Sequence, residues 1–315
     1  MTDAELRPAA GAALSVREAL DGWERLRVQA VNVLLAEQPD AAWVGRLRQL
    51  ADALVALGGR YPDLSLYYLL NEQINGAQHY CALHALSCAL IVQLGAPWLQ
   101  WDEEQTARGV RAALSMNIAM SRLQDQLALQ DGPLSETQRT QIDDHAQRGA
   151  TLLEQAGVDD AVWLSVVRGH HAPQQVDDAA ARAVADWLYR VDVYAAKLSR
   201  RRTRAALTPA IAARDACIGD GGRPDALGAV LLRVLGLYPP GSYVELVGGE
   251  LGVVVQRGAL AHQPVVALLR RADGAAVAPP RRRDTAQRGL AVRRGVDPDT
   301  VRARHAHESV LRALD

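Results

Sequence analysis

The chain has 315 residues, 35 Lys+Arg against 36 Asp+Glu, and a formal net charge of −1. A hydrophobic share of 49% with 23% charged residues excludes a disordered or fibrous chain, and the balanced charge gives no global footprint for nucleic acid. Phe is absent and Lys197 is the sole lysine, a bias toward Arg and Ala that a GC-rich genome produces and that carries no chemistry.

In chain order, Ser15-Val16-Arg17-Glu18 is a capping box that predicts a helix running toward Glu37, where Pro39 and Asp40 break and restart the chain. A second helix is expected from about Asp40 to the Gly58-Gly59 stop, and a short one after Tyr61-Pro62. A long apolar helix comes next, from about Asn75 to Gly95. Asp102-Glu103-Glu104 opens another, with carboxylates suited to the helix dipole, and its pattern runs on to about Leu129. Ser135-Glu136-Thr137-Gln138 is a second capping box, for a helix to Gly157. Helical segments are then expected over about 159–169, 177–202, 209–217 and 224–235.

At Tyr238-Pro239-Pro240-Gly241 the pattern changes. Ser242–Val247 and Leu251–Gln256 read as strands of a hairpin joined at Gly248-Gly249, with a third strand over Gln263–Leu269. From Gly274 onward Ala, Pro and Arg dominate, including Arg281-Arg282-Arg283, and the reading is a weakly ordered tail with one helix after Pro298. The expected fold is therefore mainly α, a helical bundle with a small C-terminal β appendage. Its expected units are an N-terminal helical segment over 1–70, a helical domain over 71–237, the appendage over 238–272 and the tail over 273–315.

Cys81, Cys88 and Cys217 have no C-x-x-C spacing and cannot make a disulfide framework. No apolar core follows Asp3 and Glu5 as in a signal peptide, and Ala82–Leu99 is interrupted by His84, Ser87, Gln93, Gly95 and Pro97, so a membrane span is not expected. The expected location is the cytoplasm.

Four histidines and one aspartate are the candidates for chemistry. His79 shares helical spacing with Leu83, Leu86 and Leu90, which places it on an apolar stripe. Asp192 has Leu188, Tyr189, Ala195 and Ala196 on its own face, where a carboxylate must be paired, hydrogen-bonded or metal-bound. His170-His171 follows Gly169 at a helix end, and His145 lies within the helix opened by Ser135. Taken singly, each is an ordinary core or surface residue; as a set, these N/O donors suit one divalent ion of Fe, Mn, Zn or Ni, the alternative being a polar relic with no ion. Arg200-Arg201-Arg202-Thr203-Arg204 offers Arg200, Arg201, Arg202 and Arg204 for a phosphate-bearing ligand, against the plainer reading of a solvated helix end.

The order of these motifs resembles the HD-GYP branch of the HD-domain metal-dependent phosphohydrolases. His79 and Gly95 are similar to the family's opening helix, Ala112–Met120 to A-A-L-L-H-D-I-G-K, and Ile142–Gly149 to I-x-x-H-P-x-x-G. His170-His171 resembles the start of H-H-E, Val191–Tyr194 resembles V-A-D-x-Y, and Gly236–Ser242 with Val244–Leu246 resembles the closing segment. The resemblance implies a bacterial helical domain with metal on His79, His145, His170, His171 and Asp192, acting on cyclic dinucleotides such as cyclic di-GMP.

The departures are specific. Met116-Asn117 replaces the name-giving His-Asp pair, Met120 replaces the lysine, the G-Y-P loop is absent after His171, and Asn75 stands four residues before His79 where the family can carry Glu. A two-metal phosphodiesterase needs a bridging carboxylate to neutralise its ions and hold the attacking hydroxide. Asn117 carries no charge, and Met116 is a soft thioether. The sequence therefore points to a degenerate signalling domain that binds a protein partner or ligand. A residual phosphohydrolase and a non-hydrolysing cyclic-nucleotide receptor are the alternatives, and the N-terminal helices read as an input or homodimerisation segment.

Overall fold

The computed structural model describes residues 14–36, 39–76, 78–200, 202, 207–217, 225–301 and 306–314. Both capping boxes form: Ser15 Oγ accepts from the Glu18 amide and Ser135 Oγ from that of Gln138, each with the reciprocal bond back to the cap. They open α1 (Val16–Leu34) and, later, α7 (Glu136–Gln155). Between them lie α2 (Ala41–Arg60), α3 (Pro62–Asn75), α4 (Tyr80–Gly95), α5 (Glu103–Ser115) and α6 (Ser121–Leu129). The bundle continues through α8 (Ala161–Gly169), α9 (Ala179–Leu198), α10 (Pro209–Cys217) and α11 (Ala226–Leu235).

Helix α4 is the axis of this bundle. Fourteen of its sixteen residues are buried, so it has no solvent-facing side and must be covered all round. One apolar cluster gathers Trp23 and Leu26 of α1, Trp43 and Leu54 of α2, Leu86 and Ile91 of α4, Trp163 of α8 and Trp187 of α9. Helices α1 and α2 thus share one core with the helices that follow them. Without Phe, this core is filled by Trp, whose N–H needs an acceptor. Trp23 donates to Ser65 (2.9 Å), Trp43 to the Val33 carbonyl (2.7 Å) and Trp163 to Ser115 (2.9 Å).

Close approach of α4 and α9 depends on Gly95, where a Cβ would lie 2.5 Å from Trp187 Cζ2. Trp187 is fully buried and has nowhere to go. Gly95→Ala is therefore expected to destabilise the protein by about 1–3 kcal/mol through overpacking. A urea midpoint equal to wild type would show that the indole moves freely.

Two expectations about helices need correction. The apolar helix starts at Tyr80, not Asn75: His79 precedes it in the left-handed region (φ 53) with no side-chain cap, and Asp125 of α6 accepts from the Cys81 amide at 2.8 Å. The cap comes from a distant segment, so local sequence does not mark it. The helix expected to run to Leu129 ends at Ser115, and one 3-10 turn (Ile118–Met120) separates α5 from α6. No Gly or Pro marks that break; Met116 and Ile118 are buried beside Gly149 of α7, and tertiary packing bends the chain there.

The hairpin forms as expected and belongs to a five-stranded antiparallel sheet of order β4-β3-β2-β1-β5. Its strands are β1 (Tyr243–Leu246), β2 (Leu251–Gln256), β3 (Val265–Arg270), β4 (Ala276–Asp284) and β5 (Val292–Gly295). The weakly ordered tail is thus corrected, since β4, β5, α12 (Pro298–Val301) and α13 (His307–Leu311) lie within it. Both added strands are sheet edges, where Pro and outward Arg are tolerated and the apolar alternation is sparse. One face of the sheet packs Val253, Val255 and Ala267 with Tyr67 and Ile74 of α3 and with Val310 and Leu311 of α13. Gly241 (φ +96) permits the junction, because a Cβ there would lie 2.7 Å from the Asn71 amide nitrogen.

Candidate metal centre

His145 sits on the buried side of α7, while His170 ends α8 and His171 comes directly after it. The Gly169 turn reverses the chain so that both imidazoles meet His145. His145 Nε2 lies 3.2 Å from His170 Nε2 and 3.2 Å from His171 Nε2. His145 and His170 are 2% and 0% exposed, whereas His171 faces solvent.

The second nitrogens fix the tautomers. Nδ1–H of His145 donates to the Ile142 carbonyl, and Nδ1–H of His170 donates to the Val167 carbonyl at 2.7 Å. A carbonyl only accepts, so in the neutral rings both Nε2 atoms carry lone pairs that face each other without a donor between them. Burial and then the backbone bond act on His145, with burial the larger, and its pKa is lowered; burial, then the His171 charge, bring His170 down to about 3. A proton is thus a poor bridge. A divalent ion suits the gap: N ligands at 2.0–2.1 Å in a tetrahedral site stand about 3.4 Å apart, and histidines that ligate metal commonly donate their other N–H to a carbonyl. The residues present fit such an ion.

Asp192 adjoins this triad, but its direct partner is His84, whose Nε2–H donates to Oδ1 at 2.8 Å. His84 is 1% exposed and the Asp192 side chain 13%. Burial pushes Asp192 up, and His84, with His170 and His171, more than offsets it, leaving the carboxyl at about 2. The ring of Tyr80 stacks on His84 at 5.5 Å. Cys88, one turn further on, has Sγ 3.7 Å from His84 Nε2, and burial followed by the Asp192 charge holds its thiol well above the ordinary range.

His79 is therefore not a member of the site. It is exposed ahead of α4, and His84, five residues on, occupies the inward position expected of it. The position four residues earlier is then Tyr80; Asn75 instead donates to Asn71 and to the Tyr243 hydroxyl. His84 and Cys88 escaped the sequence reading, although His84, Ser87 and Cys88 form a one-turn polar stripe on an otherwise apolar helix.

Met116 is fully buried and Asn117 is 9% exposed, with its Oδ1 lacking a hydrogen-bond partner. Gly109 of α5 abuts Val92 of α4, where a Cβ would be 2.9 Å from Cγ1. The Met116 carbonyl also lies 3.5 Å from a Cβ on Gly149, one turn past His145 on α7.

The arginine run behaves differently. Arg200 pairs with Asp299 at 2.9 Å and Arg202 with Asp131 at 2.7 Å, so both hold intramolecular carboxylates. Arg201 and Arg204 lie outside the described residues.

The chain is 25% identical over 218 residues to a protein of Pseudomonas aeruginosa named as a cyclic di-GMP phosphodiesterase, a match covering 66% of this chain and 51% of the relative. The chain thus spans about half the length of that curated relative. No family model matches the sequence, and no solved structure matches it. Among the described residues no helix is long and apolar enough to cross a membrane. With the His-rich centre, this distant likeness supports at most the HD-domain phosphohydrolase superfamily.

Proposed function

We propose that this chain is a degenerate HD-GYP-type signalling domain that holds a divalent ion on His145, His170 and His171 and acts by binding, without hydrolysing cyclic di-GMP. The observation that carries this reading is Asn117, a buried neutral amide with an unpartnered Oδ1, at the sequence position where the resembled family has its bridging Asp. The likeness to a named cyclic di-GMP phosphodiesterase supports a cyclic dinucleotide as the ligand class.

An ion bound on the triad would supply a Lewis acid for a phosphate oxygen or a water. The protein's own groups decide between binding and turnover. The Ile142 and Val167 carbonyls hold the His145 and His170 rings with Nε2 inward. Asp192 is engaged by His84, and Asn117 brings no negative charge, so neither of these two residues offers a free carboxylate to bridge a pair of ions or take a proton from an attacking water. Met116 and Met120 offer no cation to a phosphate. Recognition survives this loss of groups; hydrolysis does not.

The decisive experiment combines metal analysis of chelator-free protein with a cyclic di-GMP hydrolysis assay in Mn or Fe. The expected result is bound metal that falls in His170→Ala, with no turnover in either protein. Turnover at an enzymatic rate, abolished by His170→Ala, would overturn it in favour of a residual phosphohydrolase, the reading that the triad itself favours.

A further inference from the structure

Arg200 and Arg202 hold carboxylates, but Arg122 of α6 and Arg148 of α7 have none among the described residues. Both of these exposed side chains line one cleft, of about 410 Å³. Arg122 is held in place there, because its Nη2 donates to the Leu35 carbonyl at the C-terminal end of α1, at 2.6 Å. Each guanidinium is accompanied by an amide. Arg122 and Gln126 stand four residues apart on α6, and Gln141 and Arg148 seven apart on α7, spacings that keep each pair on one face of its helix. No described residue of the lining is acidic. Much of the remaining wall is apolar, with Leu34 and Pro39 from the α1–α2 connection, Ile118 from the 3-10 turn and Leu152 from α7. None of His84, His145, His170, His171 and Asp192 lines this cleft. Leu34 and Pro39 also stand ahead of the whole stretch that resembles the HD-GYP branch, so part of the frame is built by the N-terminal helices of this chain.

We propose that this cleft binds a phosphate monoester with an apolar or aromatic body, no larger than a nucleoside monophosphate. Two cations with no acid beside them favour an anion. A carboxylate has two oxygens, which one guanidinium fork already occupies; a phosphate monoester has three terminal oxygens and serves both forks. The apolar wall takes the body of the ester. The Gln126 and Gln141 amides, which donate and accept, meet its polar edge. The volume lies toward the lower end of small-molecule sites, which sets the limit on size. Bound there, the ester joins the N-terminal helix pair to the turn that follows Asn117.

Calorimetric titration of the chelator-treated full chain tests this, since chelation removes any ion at the triad that could itself take phosphate. Phenyl phosphate and adenosine monophosphate are each expected to bind at one equivalent, and benzoate and inorganic phosphate about tenfold more weakly or worse. Arg148→Gln should weaken phenyl phosphate about tenfold or more. That side chain is exposed and makes no intramolecular bond among the described residues, so the urea midpoint of this variant should equal that of wild type. His170→Ala should bind phenyl phosphate as wild type does. Saturable binding of neither ester overturns the proposal, as does wild-type affinity in Arg148→Gln. Benzoate or inorganic phosphate binding as tightly as the esters overturns the choice of a phosphate monoester. Loss of binding in His170→Ala assigns the phosphate to the histidine centre and overturns the cleft. Metal content and cyclic di-GMP turnover are read separately, so the function proposed for the triad stands or falls on its own.

Discussion

Stripping divalent ions from the purified protein is expected to lower its thermal midpoint by several degrees. An ion that binds only the folded chain stabilises it by about 2.7 kcal/mol when its free concentration is a hundred times its Kd. In the metal-free state the lone pairs on His145 Nε2 and His170 Nε2 face each other at 3.2 Å. Calorimetry with and without chelator measures the shift, and adding back the ion should restore it. His145→Ala should abolish the dependence on the triad's ion, because His145 is the ring within 3.2 Å of both others. Identical midpoints for wild type with and without chelator would refute ion binding at this centre.

His84→Ala is expected to cost about 3–5 kcal/mol in the metal-free protein, because it leaves Asp192 as a buried carboxylate without its partner. The double variant His84→Leu/Asp192→Leu should recover most of that loss, since replacing a buried pair by apolar groups is often neutral. Urea denaturation of the two variants and wild type gives the comparison. The pH dependence has a definite sign. A carboxyl held at about 2 in the folded state, below its unfolded value near 3.9, adds stability above pH 4 that is lost as pH falls toward 2. Asp192→Asn should lack this component of the acid transition. An acid profile for Asp192→Asn identical to that of wild type would show that the pair does not hold the carboxylate charged.

Much of the helical part was readable because its signals are local. Ser15, Asp40, Asp102 and Ser135 each cap the helix immediately after them, and the capping chemistry involves residues three positions apart. The hairpin at Gly248-Gly249 was equally local. The pairing of Arg281–Arg283 with Leu268, Ala267 and Val266 was not, because an edge strand gains its order from a neighbour distant in sequence. The break at Met116 was invisible for the same reason, its cause being the packing against α7.

The centre divides in the same way. His170-His171 at the end of α8 and His145 within α7 were conspicuous as residues, and the identity of Asn117 was decided by the sequence alone. Which histidine faces Asp192 was decided by the fold. The spacing from His79 to Leu83, Leu86 and Leu90 is helical, but spacing cannot say where a helix begins. Asp125 supplies that start from 44 residues away, exposing His79 and burying His84. The sequence by itself determined the donors available and the amide at position 117, since those are facts of composition at a position. Only tertiary structure decided which donors converge, because convergence here depends on the packing of α4 against α9 and of α7 against α8, and on the backbone carbonyls that hold the His145 and His170 rings.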